Sequence, residues 1–385
     1  MWKRVLGLLL TAGLVFYCLP LTALAAEPEV AAPSAVLMEA STGTVLFEKN
    51  SHERLAPASV TKIMTLLLVI EALESGRISW DDMVTASEAA AAKGGSQVYL
   101  EAGEQMTMDE MLKSVVVSSA NDCATALAEH IAGSESSFVD MMNQRAKDLG
   151  MADTHFVNCT GLDDDADAAE HLTSAYDIAV MSRELLKHDE IRNYTTIWMD
   201  TVRGGEFGLS NTNKLVRFYQ GTTGLKTGYT SAAGHCLAAS ARRDGVEYIA
   251  VVLHCANSGE RFQSARTLLD HGFANYALAK PSPGEIPTVA VELGQQDMIL
   301  PVPADSTPVL IDKSQKNAVT TQVEVTDRVK APVEAGQRLG TMTLLAGDQV
   351  LATVPLVAPE TVERLTWWQV TKQVLLSMCF LKPAE

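Results

Sequence analysis

Three short stretches of this chain carry side chains whose types and spacing suit nucleophilic chemistry. The first is Ser59-Val60-Thr61-Lys62, inside A-P-A-S-V-T-K-I-M-T-L at residues 56–66. A mostly apolar run, Ile63 to Leu73, follows it and is rich in helix-favouring Leu, Met and Ala. Pro57 and Ser59 read as a helix start. In a helix begun there, positions i and i+3 share a face, so the Ser59 hydroxyl and the Lys62 amine meet. A serine hydroxyl is a poor nucleophile at neutral pH and needs an adjacent base. Taken alone, the pair is common by chance and reads more readily as a capping serine and a lysine that snorkels to water.

The second stretch is Ser118-Ser119-Ala120-Asn121-Asp122, and the third is Gly224-Leu225-Lys226-Thr227-Gly228-Tyr229. Each is weak by itself: S-x-N also makes a helix cap, and K-T-G an ordinary turn with a solvated lysine. In the order S-x-x-K, S-x-N, K-T-G they form a set used for serine acyl transfer. Ser59 is then the nucleophile. Lys62 is its base, provided that burial and a second cation, Lys226, disfavour the charged form. Ser119 bridges the two amines and relays a proton to the leaving group, and Asn121 holds Lys62 and a substrate amide. Lys226 and Thr227 suit a substrate carboxylate, one by charge and one by hydroxyl. Gly228 admits substrate backbone close to a strand edge. The backbone N–H groups of Ser59 and Tyr229 are candidates for an oxyanion hole.

The elements that must position these groups are legible in outline. Residues 34–49 read as a hairpin turning at Ala40-Ser41-Thr42-Gly43, and residues 59–74 as a helix buried nearly all round. From Trp80 to about Lys147 the pattern is mainly helical, clearest over 108–117 and 122–131. Residues 150–172, rich in Asp, Asn and Gly, read as an irregular loop, and Ser174 to Lys187 returns to a helical period. Strands follow at Gly234–Arg242 and Val246–Cys255, turning at Asp244-Gly245, then a helix at 260–278. Strands at both ends and helices between predict one sheet assembled from the two ends of an α/β or α+β domain. Pro281-Ser282-Pro283-Gly284 breaks the composition, and the short V/T/I/L runs of 286–358 predict a small β domain.

Composition limits the function classes. The chain has 385 residues, 47% of them hydrophobic, with a formal net charge of −17. Its size suits two domains, and so acidic a chain without a Lys/Arg run is not expected to bind nucleic acid. Lys3 and Arg4, the apolar Val5–Leu21 stretch and Ala23-Leu24-Ala25 predict a signal peptide over residues 1–25. Past that segment stand five cysteines, 123, 159, 236, 255 and 379, with no C-x-x-C pair. Cys236 and Cys255 flank the 244–245 turn; buried free thiols fit better than a disulfide there. The eight histidines show no ligand spacing, so no catalytic metal and no cofactor is expected.

With these motifs in view, the chain resembles the serine D-alanyl-D-alanine carboxypeptidases, the low-molecular-mass penicillin-binding proteins. The likeness runs over nearly the whole sequence. Besides the three motifs it includes Leu55-Ala56-Pro57-Ala58-Ser59, Gly94-Gly95-Ser96, His155-Phe156-Val157-Asn158 and Gly161-Leu162-Asp163. It continues through Thr173–Ala179, Asn211-Thr212-Asn213-Lys214-Leu215 and Thr230–Gly234. The resemblance implies a β-lactamase/transpeptidase-like catalytic domain at 26–280, a β-sandwich-like domain at 285–360 and a terminal helix at 361–385. It also implies an exported enzyme that removes the terminal D-alanine from peptidoglycan stem peptides through an acyl-enzyme on Ser59, with penicillins acylating the same serine. A penicillin-hydrolysing β-lactamase would carry E-x-x-L-N between Asn121 and Lys226, and no such stretch occurs; Glu170 and His171 there read as a cluster before a helix at Thr173. An endopeptidase using the same site stays open, and a sensor with a decayed site conflicts with the intact motifs.

Residues 361–385 have their own pattern. From Leu365 to Leu381 the only charge is Lys372. On a helical wheel Trp367, Trp368, Val370, Val374, Leu375, Met378, Cys379 and Leu381 fill one broad face. The segment is short for a span and suits a helix lying in the membrane interface, on the outer face of the cytoplasmic membrane. The competing arrangement packs it on the β domain.

Overall fold

The computed structural model describes residues 27–164, 167–282 and 284–378. The signal peptide assigned to residues 1–25, together with Pro283, Cys379, Phe380 and Leu381, lies outside the described residues.

The catalytic-motif region is built on a five-stranded antiparallel sheet. Its strands are β1 (Ser34–Glu39), β2 (Val45–Lys49), β7 (Thr222–Thr230), β8 (Gly234–Arg243) and β9 (Val246–Cys255), in the order β2-β1-β9-β8-β7. Both ends of the region thus contribute to one sheet, as the sequence pattern predicts. Asp244 and Gly245 join β8 to β9 with φ of +50° and +81°, the left-handed pair that a tight hairpin needs.

Both faces of the sheet are covered, which is why β8 and β9 are almost continuously apolar. Leu37, Leu237, Ala239, Tyr248, Ala250 and Val252 point to one side, where they meet Phe262, Ala265, Leu268 and Leu269 of a long helix, Ser258–Asn275. Val36, Met38, Ile249 and Val251 point to the other, into the larger core. That core is filled by α1 (Lys62–Glu74), α2 (Met108–Val117), α3 (Asn121–Ala132), α4 (Glu135–Asp148) and α5 (Ala175–Leu185); the Ser258–Asn275 helix is α6. Helix α1 runs through the middle and is buried on nearly every side, as its uninterrupted apolar sequence requires.

Several elements differ from the sequence pattern. Two three-residue strands, β3 (Met83–Thr85) and β4 (Gln105–Thr107), interrupt the stretch that reads as helical; they are too short to show a period of two. A small hairpin, β5 (Met199–Val202) with β6 (Phe207–Ser210), also lacks a sequence signal. Helix α6 stops at Asn275, and Tyr-Ala-Leu-Ala goes on as β10 (Tyr276–Ala279). There, pairing with β14 (Val309–Asp312) overrides the helix preference of Ala and Leu. The predicted catalytic region therefore shares a strand pair with the β region.

The remaining strands are β11 (Val289–Glu292), β12 (Met298–Ile299), β13 (Val302–Pro303), β15 (Val319–Val325), β16 (Arg328–Lys330), β17 (Arg338–Ala346) and β18 (Gln349–Val357). They form two small sheets, β12-β11-β16 and β13-β18-β17-β15. Val289, Val291, Ile299, Val333, Leu339 and Val362 form their own apolar core, and Val362 bridges to Val333. Helix α7 (Trp367–Met378) follows, its first turn closed by the Thr366 and Gln369 side chains.

Candidate active site

The Ser59 turn is a 3-10 turn, Ala58–Thr61, leading directly into α1. Lys62 is fully buried rather than snorkelling. Its Nζ donates to Ser59 Oγ at 3.0 Å, to Asn121 Oδ1 at 2.5 Å and to the Thr160 carbonyl at 2.8 Å. Neither Ser59 nor Lys62 does a capping job: no side-chain bond caps the turn or α1. Ser59 itself is partly open to solvent.

Ser119 sits just ahead of α3 at φ +64°, a conformation rare for a residue with a side chain. It does not cap the helix. The Ser96 carbonyl does so instead, accepting from Asn121 N–H at 2.7 Å, and this leaves both side chains of the S-x-N stretch for other partners. Asn121 Nδ2 donates to the Gly94 carbonyl at 2.7 Å while its oxygen faces Lys62. Ser119 Oγ accepts from Lys226 Nζ at 2.8 Å. Among the described residues no direct hydrogen bond joins Ser119 to Lys62, so the expected bridge between the two amines is closed on the Lys226 side only.

The K-T-G residues lie on the edge strand β7 and not in a turn. Lys226 is buried, and Thr227 Oγ1 donates to Thr212 Oγ1 at 2.7 Å. Strand β7 passes against the nucleophile turn at Gly228, where an added Cβ would stand 2.6 Å from the Pro57 carbonyl oxygen and 3.1 Å from Ser59 N. Only glycine permits that approach. Tyr229 is exposed, with its ring stacked 4.4 Å from that of His235.

Burial dominates the electrostatics. It holds the Lys62 ammonium down to about 7. Burial, followed by the nearby Lys62 and Arg261 cations, holds Lys226 well below a lysine's ordinary range. A neutral Lys62 keeps two N–H bonds, for which Asn121 Oδ1 and the Thr160 carbonyl are ready acceptors, and turns its lone pair to the Ser59 hydroxyl. A buried amine on the Ser59 hydroxyl and a second on Ser119 are equipped for acyl transfer.

The loop at 158–162, whose Asn158 and Gly161 belong to stretches noted for the family resemblance, contributes groups to which the sequence alone assigns no role. Asn158 Oδ1 accepts from Gly161 N–H at 2.7 Å and from Thr160 N–H at 3.2 Å, which fixes the Thr160 carbonyl on Lys62. Gly161, at φ +80°, packs so closely on the nucleophile turn that an added Cβ would lie 2.7 Å from Thr61 Oγ1. Arg261 of α6 is buried and donates to the Gly228 carbonyl at 3.0 Å. A distant arginine gives no local signal; only the pairing of α6 with the sheet brings it here. His171 is buried behind the nucleophile turn, past the 3-10 turn 168–170, and α5 is capped by Ser174 rather than by the Glu170–His171 pair. The four cysteines 123, 159, 236 and 255 are free and buried, with no bond between Cys236 and Cys255. Among the described residues no group of three or more His, Cys, Asp or Glu side chains converges as a metal site.

Comparisons with known proteins agree with this geometry. The D-alanyl-D-alanine carboxypeptidase family model matches residues 22–257, and that of the penicillin-binding protein 5 C-terminal domain matches residues 282–364. D-alanyl-D-alanine carboxypeptidase DacF of Bacillus subtilis (strain 168) is 44% identical over 340 residues, 86% of each chain. The crystal structure of penicillin binding protein 5 from Haemophilus influenzae superposes with a TM-score of 0.76 at 29% identity, covering 88% of this chain and 100% of that one. Ampicillin-bound penicillin-binding protein D2 from Listeria monocytogenes superposes with a TM-score of 0.58 at 30% identity, covering 63% of this chain and 98% of that one. With its family model spanning most of the chain and three motifs gathered around one serine, the chain belongs to the D-alanyl-D-alanine carboxypeptidase family of serine peptidases.

Proposed function

We propose that Ser59 is the acylated nucleophile and that the substrate is a peptidoglycan stem peptide ending in D-Ala-D-Ala. The observation that carries this reading is the buried Lys62 amine held 3.0 Å from Ser59 Oγ. Lys62 takes the hydroxyl proton as Oγ bonds to the carbonyl carbon of the penultimate D-alanine. The backbone N–H groups of Ser59 and Tyr229 receive the oxyanion. Collapse breaks the C–N bond; Ser119, hydrogen-bonded to Lys226, gives its hydroxyl proton to the departing D-alanine amine and takes back the proton that Lys62 had removed from Ser59, which leaves Lys62 neutral for the next step. Asn121 keeps Lys62 in place and receives the substrate amide. The free carboxylate of the leaving residue meets Lys226 and Thr227; it supplies a counter-charge that Lys226 lacks among the described residues and so favours the ammonium. Water then hydrolyses the ester and restores the Ser59 hydroxyl. A penicillin would open its lactam on the same oxygen, and the bound ampicillin of the Listeria relative supports that reading. Release of D-alanine from a diacyl-Lys-D-Ala-D-Ala peptide, lost in Ser59→Ala, tests the assignment.

The same reading has residues 1–25 removed on export, 26–280 as the catalytic unit and 285–360 as a β domain. Helix α7 then rests on the outer face of the cytoplasmic membrane. Trp367 and Trp368 expose 71% and 76% of their surface, as interface-anchoring aromatics do. Among the described residues no helix is long and apolar enough to cross a membrane.

A further inference from the structure

Ala58, immediately before Ser59, has φ +48°, a left-handed backbone that is unfavourable for a residue with a side chain. Such a conformation persists only where its surroundings fix it. One restraint is visible: Thr61 Oγ1 donates to the Ala58 carbonyl at 2.8 Å. A hydroxyl has a single proton, so the same oxygen must accept from His171 Nε2, 2.8 Å away. The other ring nitrogen, Nδ1, accepts from Val157 N–H at 3.1 Å. The three bonds together fix the tautomer: Nε2 carries the proton and the ring is neutral. The edge of the imidazole packs on Phe156, with ring centroids 5.7 Å apart.

The ring's own position is set by backbone. Leu172 exchanges hydrogen bonds with His155 at 2.8 and 3.1 Å, and Thr173 with Leu55 at 2.8 and 3.0 Å. His171 is therefore fastened to the chain entering the nucleophile turn and to the loop that holds Thr160 on Lys62. Burial, with His155 and Lys62 adding to it against an opposing Asp167, lowers the imidazole pKa to about 4. The ring consequently stays neutral across the range in which Lys62 titrates.

We propose that His171, acting through the Thr61 hydroxyl, is a positioning residue that locks the Ala58 turn and so aims Ser59 Oγ at Lys62. The proposal rests on Ser59 being the nucleophile. It assigns His171 no contact with substrate and no proton transfer. Its effect belongs to the acylation step and not to the capture of substrate.

The test uses the full-length protein and a fluorescent penicillin, separating the limiting acylation rate from the half-saturating concentration. Thr61→Val removes the linking hydroxyl at nearly constant shape, and Thr61→Ser keeps it. His171→Ala removes both ring bonds, whereas His171→Gln preserves a donor towards Thr61. Misaimed reacting groups lose rate steeply, so Thr61→Val and His171→Ala are expected to acylate at least about tenfold more slowly with the half-saturating concentration little changed. Thr61→Ser and His171→Gln are expected to recover most of the rate. Wild-type acylation by Thr61→Val, a loss confined to the half-saturating concentration, or no recovery by His171→Gln overturns the proposal. So does failure of Thr61→Val to fold, since the pair would then serve the fold alone. A wild-type label on a serine other than Ser59 would instead refute the site assignment, and the positioning role with it.

Discussion

Lys62 combines a lowered pKa with a full set of acceptors, and the two features make opposite demands on its proton. Burial wins, and the amine is neutral in a large fraction of molecules near pH 7. Acylation requires that neutral form. Because the folded pKa is depressed, the competent form is lost as pH falls, so the second-order rate of penicillin acylation should rise with pH below about 7 and level off above it. A pH series of labelling rates checks this. Lys62→Ala should slow acylation by roughly a hundredfold to ten-thousandfold, the usual worth of a general base, and should abolish the inflection. Lys226 has a separate role and predicts a different pattern. Lys226→Ala should chiefly impair substrates with a free terminal carboxylate; amidating that carboxylate should hurt the wild type far more than the variant in D-alanine release. Equal damage would remove Lys226 from the carboxylate site. These residues were legible because each motif places chemically matched groups within a few positions. Thr160, His171 and Arg261 were not, since a backbone carbonyl, a lone histidine in a polar loop and a helix arginine acquire meaning only through tertiary packing.

The elements that meet at Ser59 do so through close backbone approach. Gly161 and Gly76 share a left-handed conformation, with φ of +80° and +70°, but Gly76 has nothing within 4 Å of its missing Cβ. Gly76→Ala should therefore cost only the conformational penalty, about 1–2 kcal/mol. Gly161→Ala adds collision with the Ala58 carbonyl and should lower the melting temperature much further. Gly228→Ala carries no such φ penalty; it should fold, yet acylate poorly, because its Cβ would lever β7 off the Ser59 turn. Paired melting and labelling measurements separate the three. Helices α1, α2 and α3 and the β8–β9 hairpin could be read from sequence because their length shows a period and turn residues bound them. Strand β7 hid behind its own motif: G-L-K-T-G-Y lacks the alternation of a half-buried strand, since an edge strand here is buried on both faces. The strands of the β3–β4 pair and of the β5–β6 hairpin are too short to show a period.

Across the molecule, the sheet draws on both ends of the catalytic region, and α7 follows a β region whose pairing runs on to Arg364. A truncation testing the membrane role should fall after Thr366, because an earlier cut would strip Val362 from its core. Full-length protein should sediment with lipid vesicles and the truncated protein should remain in the supernatant, with D-alanine release from a soluble peptide unchanged in both. Equal partitioning would mean that α7 does not hold the protein on the membrane. The division into a sheet-and-helix region and a β region was visible in the shift from helical periods to short V/T/I/L runs. The β10–β14 pair that ties them was not, because strand pairing between segments 30 residues apart leaves no local mark. Mass spectrometry of the intact protein after reaction with penicillin, followed by peptide mapping, shows whether the framework activates Ser59 alone. A single adduct is expected on the peptide containing Ser59 and none on Ser59→Ala; an adduct on any other serine, or one that survives the substitution, would rule Ser59 out as the nucleophile.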